Sequence, residues 1–470
     1  MTKKILVIGA GPAGLTCAYE LSKDKSCKIK TVEISSRVGG MARSFKLFNQ
    51  TVDLGPHRFF SSDNRVNKLW LEVIGTDYKI VNRLTRIFYK KKYYYYPLKP
   101  LNAFFNLGFF NVTISLISYF KYKFFPLKNE EIFSSWIINR FGKKLYDIFF
   151  KSYTEKLWGI DPDKLSSDFA KQRIKDFSLG QAIKNVFFKN TFHKTLVDEF
   201  AYPLKGNGYV YEKMLLKYIK NKGIIEFNSS LKLIEFNDDK YDVVCSNGDT
   251  EKFDYVISTM PIDSFLKIFK NYKFKIDKFN LKFRNTILVY SKVKQSNLFE
   301  DQWIYIQDEK IKAGRITNFN NWIPELINNE KGSLLANEYW AYDDDELWNM
   351  NDGDLHDICY SDLKACGFLD DKKDIIDFKI IRVPKCYPVY SGDYKNSLLE
   401  IQDFLKSYKN LSLIGRYGSF KYNNQDHSIL MGYLCSRNIL LDEENNLWEI
   451  NSDYKYHESS RISESGLIVN

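Results

Sequence analysis

The run Ile5-Leu6-Val7-Ile8, followed at once by Gly9-Ala10-Gly11-Pro12-Ala13-Gly14, constrains this chain more than any other feature in it. A four-residue apolar run suits a strand buried on both faces of a parallel sheet. Residues 15–21 after the glycines (LTCAYEL) have helical spacing. Gly9 permits the tight turn, Gly11 lets the backbone approach a pyrophosphate, and Gly14 lets helix and strand pack closely. The N-terminus of that helix adds amide donors and a positive dipole end. A second strand over 29–32 ends at Glu33, 19 residues beyond Gly14, where a carboxylate can bind an adenosine ribose diol. Strand, glycine turn, helix, strand and acid together predict a dinucleotide-binding unit at the head of an α/β chain.

Composition narrows the rest. The 470 residues leave room for about three domains. A hydrophobic share of 44% and a charged share of 27% are those of a globular protein with a large core. With 24 Gly, 11 Pro and seven Cys at 17, 27, 245, 359, 366, 386 and 435, disordered, collagen-like and disulfide-scaffold classes are excluded. No two cysteines form a CxxC pair, so neither a zinc knuckle nor a redox motif is indicated. The basic start has no small-residue cleavage site after it, which makes the cytoplasm the expected compartment.

The balance of 69 Lys plus Arg over 58 Asp plus Glu gives +11, and aromatic residues reach 16%. Such a chain can meet nucleic acid, a membrane surface or an anionic substrate, or it can reflect AT-rich codons. No nucleic-acid-binding motif is present, so no nucleic acid is expected as a partner. Residues 101–120 carry no charge and lie between Lys99 and Lys121, but three Asn, two Ser and a Thr suit hydrocarbon poorly. A buried or partly buried helix is expected there. An interfacial membrane patch at the inner face of the membrane is the alternative, favoured by the tyrosine–lysine run 89–96 just upstream.

Five residues separate Glu33 from Gly39-Gly40, in Glu33-Ile34-Ser35-Ser36-Arg37-Val38-Gly39-Gly40-Met41-Ala42-Arg43. This resembles the second signature of glutathione-reductase-type flavoproteins, specifically the branch holding amine oxidases, protoporphyrinogen oxidases and UDP-galactopyranose mutases. Two glycines let the backbone lie against an extended diphosphate and ribityl chain, and Arg37 and Arg43 offset phosphate charge, so FAD is the expected cofactor. Further segments resemble the mutases. They are the turn Gly55-Pro56-His57-Arg58, the stretch from Tyr153 to Trp158, the Gln172-Arg173 pair, and residues 415–429, GRYGSFKYNNQDHSI.

The resemblance implies a role for each. His57, Arg173 and Arg416 would be catalytic. Tyr153, Trp158, Arg284, Tyr422 and Asn424 would hold substrate, with Tyr153 on a base and Trp158 on a mobile loop. Gly9, Gly11, Gly14, Glu33, Gly39, Gly40, Met41, Arg43, Gly55, Pro56, His57, Gly415 and Gln425 would hold the cofactor. A helix starting near Asp426 would point its positive end at the flavin pyrimidine. Read without the resemblance, His57 is a structural histidine and Tyr153 and Trp158 are core aromatics. The sequence departs from the mutases where Asn424 replaces an aspartate and Gln425 a methionine.

The expected fold class is α/β, a Rossmann-like FAD-binding domain of the glutathione-reductase type with an interleaved helical and mixed β-sheet substrate domain. Residues 1–80, 200–270 and 395–450 are assigned to the FAD domain, 81–199 to a mainly helical lid, 271–394 to a β-sheet substrate domain and 451–470 to a tail. The resemblance implies a flavoenzyme acting through reduced flavin, with NAD(P)H as a candidate reductant, on a nucleotide- or lipid-diphosphate sugar for surface polysaccharide. A sugar ring isomerase is one reading. A hydride-transferring oxidoreductase acting on a sugar, amine or isoprenoid-like substrate stays open as the other. No metal-ligand cluster is seen, and oligomeric state is not legible.

Overall fold

The computed structural model describes residues 2–96, 98–174, 199–270, 279, 281–451, 462–463 and 466–467. Its nucleotide-side sheet has five parallel strands in the order Leu411–Leu413, Tyr255–Ser258, Lys3–Ile8, Cys27–Val32 and Ile224–Glu226. Lys3–Ile8 lies at the centre, where both of its faces are covered, and Ile5 to Val7 are accordingly almost wholly buried. Three helices pack together beside this sheet: Pro12–Ser22, Tyr209–Lys220 and Gln425–Leu440. The first and last approach so closely that a Cβ on Gly432 would lie 2.2 Å from the Ala13 carbonyl oxygen. A three-stranded antiparallel meander, Leu231–Asn237, Lys240–Cys245 and Thr250–Phe253, leads back into the strand Tyr255–Ser258.

The second layer is a seven-stranded sheet in the order Ile375–Pro388, Phe283–Val293, Ser333–Ala341, Arg315–Asn318, Trp303–Ile306, Thr85–Tyr89 and Lys92–Tyr95. All of its pairs are antiparallel except Trp303–Ile306 with Thr85–Tyr89. The last two strands belong to the stretch assigned from sequence to the helical lid. They join the large sheet because Lys90 and Lys91 both take positive φ (50° and 58°), the geometry of a two-residue hairpin turn. A Lys-Lys pair gives no sequence signal for such a turn.

The helical part runs from Pro100–Leu107 and Phe109–Phe124 through Phe133–Phe141 to Ser152–Trp158 and Asp168–Ile174. Residues 101–120 do not form one buried helix. The chain breaks at Gly108 (φ +79°), the two pieces meet at 119°, and only Ser115 and Tyr119 of the second are buried. No single helix among the described residues is long and apolar enough to cross a membrane.

Candidate active site

The two glycine loops face each other at the carboxyl ends of the parallel strands. Gly9 has φ +95°, and a Cβ there would lie 2.2 Å from Thr259 Oγ1, so no other residue fits. A Cβ on Gly14 would meet the Gly9 carbonyl oxygen at 2.0 Å. Gly39 donates its amide to the Ala10 carbonyl (2.9 Å), which fastens the second loop to the first. Beside Gly11 the space is open except for Gly40, whose Cα lies 3.7 Å from a Cβ placed there. Glu33 is buried, and its carboxylate accepts from the Ala10 amide at 2.7 Å and from the Ser35 amide and hydroxyl at 2.9 and 2.7 Å. This acid, the open glycine backbone and the helix N-terminus at Pro12 are the donor and acceptor set that a flavin dinucleotide requires.

A cleft of about 260 Å³ opens from Gly11–Ala13 and Gly40–Ala42 toward the large sheet. Pro56, His57 and Arg58 form one wall, and Gly415, Arg416, Tyr422, Asn424 and Gln425 form another. The Arg416 guanidinium lies 4.6 and 4.4 Å from the ring centres of Tyr387 and Tyr422, which stack on each other at 5.3 Å. Its Nη1 donates to the Asn423 carbonyl (3.2 Å), while Nε and Nη2 are buried without a hydrogen-bond partner. A buried cation with idle donors is costly unless an anion completes it. His57 stands nearby. Burial, then the charges of Arg315 and Arg416, push its imidazole down to about 3, so it is neutral at ordinary pH.

Asn424 and Gln425 turn out to be structural pins as well as lining. Asn424 caps the helix Gln425–Leu440 in a reciprocal box with His427, whose Nδ1 accepts from the Asn424 amide at 3.1 Å. Gln425 donates to the Arg58 carbonyl (2.7 Å) and to Asn207 Oδ1 (2.9 Å) and accepts from the Tyr211 hydroxyl (2.8 Å). All its amide valences are spent on the protein, and it holds the Gly55–Arg58 turn in place. The helix starts within one residue of the expected position.

Other expected site residues sit away from the cleft lining. Trp158 is wholly buried and packs edge-on against Phe169, Tyr387 and Tyr422, so it is a core residue rather than part of a mobile loop. Its carbonyl accepts from the Tyr342 hydroxyl at 2.7 Å. Tyr153 packs against Tyr305 and Trp340 at 5.5 and 5.7 Å, one ring back from the cleft. Arg284 is buried and already bound, to Asp345 (2.7 Å) and the Trp340 carbonyl (2.9 Å), with Tyr342 stacked at 4.1 Å. A guanidinium neutralised in this way braces the turn at Gly159, with Nη1 and Nη2 spent on the protein and only Nε left without a hydrogen-bond partner. Arg173 falls in the helix Asp168–Ile174, but its side chain lies outside the described residues. Met41 and Pro56 line the cleft, and Arg43 follows the second glycine turn close enough for its charge to be felt at Tyr417.

Sequence reasoning missed Arg315, Glu338, Arg83 and Tyr305. Arg315 lines the cleft and binds Glu338 through two parallel hydrogen bonds, Nε to Oε1 (2.7 Å) and Nη2 to Oε2 (2.6 Å). The two residues lie directly opposite on neighbouring strands. Gly55, with φ +89°, rests on this pair, since a Cβ there would lie 3.4 Å from Glu338 Oε1. Only the strand register, which no local motif reports, brings these side chains together. Tyr387, also in the cleft lining, comes from the turn-rich segment 382–390, whose prolines already mark it in the sequence as a segment expected near the flavin face.

A parallel sheet with paired glycine loops, joined by a cleft to a large mixed sheet, defines a dinucleotide-binding flavoprotein architecture. The chain belongs to the flavin containing amine oxidoreductase family, whose model matches residues 12–440. It is 28% identical over 305 residues to the coproporphyrinogen III oxidase of Staphylococcus aureus (strain NCTC 8325 / PS 47), covering 57% of this chain and 63% of that one. It is 26% identical over 181 residues to the probable UDP-galactopyranose mutase of Klebsiella pneumoniae, covering 36% and 44%. The aligned regions thus span less than two thirds of either relative. In fold it is similar to a reduced UDP-galactopyranose mutase, with a TM-score of 0.81 at 23% identity over 97% of this chain and 99% of the other. The protein is therefore an FAD-dependent member of this oxidoreductase superfamily.

Proposed function

We propose that the protein is a UDP-galactopyranose-mutase-like sugar isomerase acting on a nucleotide- or lipid-diphosphate sugar with the flavin reduced. The observation that carries this reading is Arg416, a buried cation with two idle donors held beside stacked tyrosines at the cleft. An arginine fork of this kind matches a diphosphate, and the tyrosines on which it rests fix its plane. A reduced flavin held by the two glycine loops and Glu33 would supply an electron-rich centre facing the sugar. Arg416 holds the departing diphosphate in place, and Tyr422 orients it. His57, neutral and in the cleft lining within reach of the charges of Arg315 and Arg416, shields the reacting face without trading protons. Arg173 is a second diphosphate ligand in this reading, and Tyr153 and Trp158 support the wall behind the substrate. NAD(P)H serves as reductant, and the product feeds cytoplasmic assembly of surface polysaccharide.

The second reading is a net redox enzyme, an oxidase or reductase of a sugar, amine or isoprenoid-like substrate. Gln425 favours it: where the mutases carry methionine, this chain ties its amide to three protein groups, which changes the wall nearest the Gly55–Arg58 turn. The likeness to a coproporphyrinogen III oxidase points the same way. One experiment separates the two. Purified protein showing flavin absorbance near ~370 and ~450 nm is reduced with dithionite and mixed with UDP-galactopyranose. Chromatographic appearance of the furanose form supports the isomerase. Absence of that product, together with oxygen consumption on another substrate, overturns it in favour of the redox reading.

A further inference from the structure

The two helices that meet at Gly108 turn their apolar residues outward. Phe105, Phe109, Phe110 and Phe125 are 77%, 76%, 74% and 76% exposed. Every exposed phenylalanine among the described residues lies between 104 and 125. The inward face of Phe109–Phe124 holds Ser115 and Tyr119, the buried residues of that helix, with Val112, Leu116 and Tyr122 half-buried beside them. The helix thus carries a second apolar face turned to solvent, where an ordinary amphipathic helix is polar. Folding alone gives no reason for it, and a contiguous exposed apolar patch marks an interaction surface.

Charge says what covers the patch. Residues 78–129 contain ten Lys and Arg and no Asp or Glu, nearly the whole of the chain's +11. Arg86 is spent on Asp301 and Lys79 on Glu325. Lys90, Lys91, Lys92, Lys99, Lys121 and Lys123 form no ion pair with a carboxylate among the described residues, and they flank the phenylalanines. Several lie over tyrosine rings, Lys99 at 4.3 Å from Tyr95 and Lys90 at 5.3 Å from Tyr89. Tyrosine and lysine around an apolar centre match the headgroup level of an anionic bilayer. The 119° bend suits a pair lying in that interface with its apexes dipped in, not a span across it.

We propose that residues 100–125 form a monotopic docking surface for anionic phospholipid membranes. Phenylalanines enter the acyl boundary and the flanking lysines contact the headgroups. The strand Lys92–Tyr95 and Tyr96, which lines the cleft, lie immediately before these helices, so docking holds the cleft close to the bilayer. The proposal does not depend on which chemistry the flavin site performs.

The test is flotation of the full-length, flavin-loaded protein with vesicles of phosphatidylcholine containing about 30% phosphatidylglycerol, against phosphatidylcholine alone. Co-flotation is expected with the anionic vesicles and loss of it at 1 M salt, where the Debye length is about 3 Å. The combined Phe105→Ser, Phe109→Ser and Phe110→Ser variant removes exposed rings only, so it keeps its flavin spectrum while its vesicle partition falls more than ~tenfold. Lys90→Glu with Lys121→Glu should weaken anionic binding alone. Failure of the wild type to float with anionic vesicles overturns the proposal. So does a stable dimer or hetero-complex, seen by light scattering, that the same phenylalanine substitutions dissolve, because the face is then a protein interface.

Discussion

His57 and Arg416 show how single side chains are set by their surroundings. The His57 imidazole is held at about 3 by burial and by two arginines, while an unfolded chain protonates it near 6.5. As pH falls below about 6.5 the unfolded state takes up a proton that the native state refuses, so stability present above that pH is lost toward pH 3. The slope approaches about 1.4 kcal/mol per pH unit for one proton. The melting temperature of the wild type should therefore fall faster than that of His57→Gln between pH 6.5 and 4. Parallel curves would show that the imidazole titrates normally. Arg416→Ala should weaken binding of a diphosphate-linked ligand about ten- to hundredfold, the worth of charge-assisted hydrogen bonds, and leave the flavin spectrum intact. Isothermal titration and an absorbance scan of the same sample check both halves.

At the level of the element, the glycine turns carry the most information, because their demand is on the backbone. Gly9→Ala must place a methyl group 2.2 Å from Thr259 Oγ1 at a left-handed φ, in the turn that receives the pyrophosphate. We expect a loss of at least ~1–3 kcal/mol of stability and protein purified with little flavin, both visible in a thermal melt and the 450 nm absorbance per chain. That same backbone demand is why this part of the site was legible before the structure: Gly9, Gly14, Glu33 and Gly39 are compulsory residue types at fixed spacings. Arg315 and Glu338 were not legible, since they meet only through register across the large sheet. Arg284 and Trp158 misled for a related reason, because an arginine or tryptophan near a binding motif looks the same whether it faces ligand or its own core. The segment 101–120 misled differently. Its composition fixed the helix content but not which face would point inward.

On the scale of the whole molecule, no layer is one continuous stretch. The parallel sheet draws strands from residues 3–8, 27–32, 224–226, 255–258 and 411–413, and the large sheet draws from 85–95 and 283–388. Gln425 then ties the Arg58 carbonyl, Asn207 and Tyr211 to the last long helix. The chain crosses between the two layers several times, which couples the opening of one to the other. Thermal unfolding should therefore be a single transition, with flavin fluorescence release and far-ultraviolet circular dichroism changing at one temperature. Two separated midpoints would mean that the large sheet folds by itself.

The close packing of Pro12–Ser22 against Gln425–Leu440 has a consequence for the order of synthesis. The helix that covers the first glycine loop is made some four hundred residues after it. At about 5–20 residues per second, the loop waits tens of seconds for its partner. Through that interval the nascent chain exposes the apolar face of its first helix and has no finished pocket in which to keep a flavin. Cofactor loading is therefore expected only after the helix Gln425–Leu440 has been made.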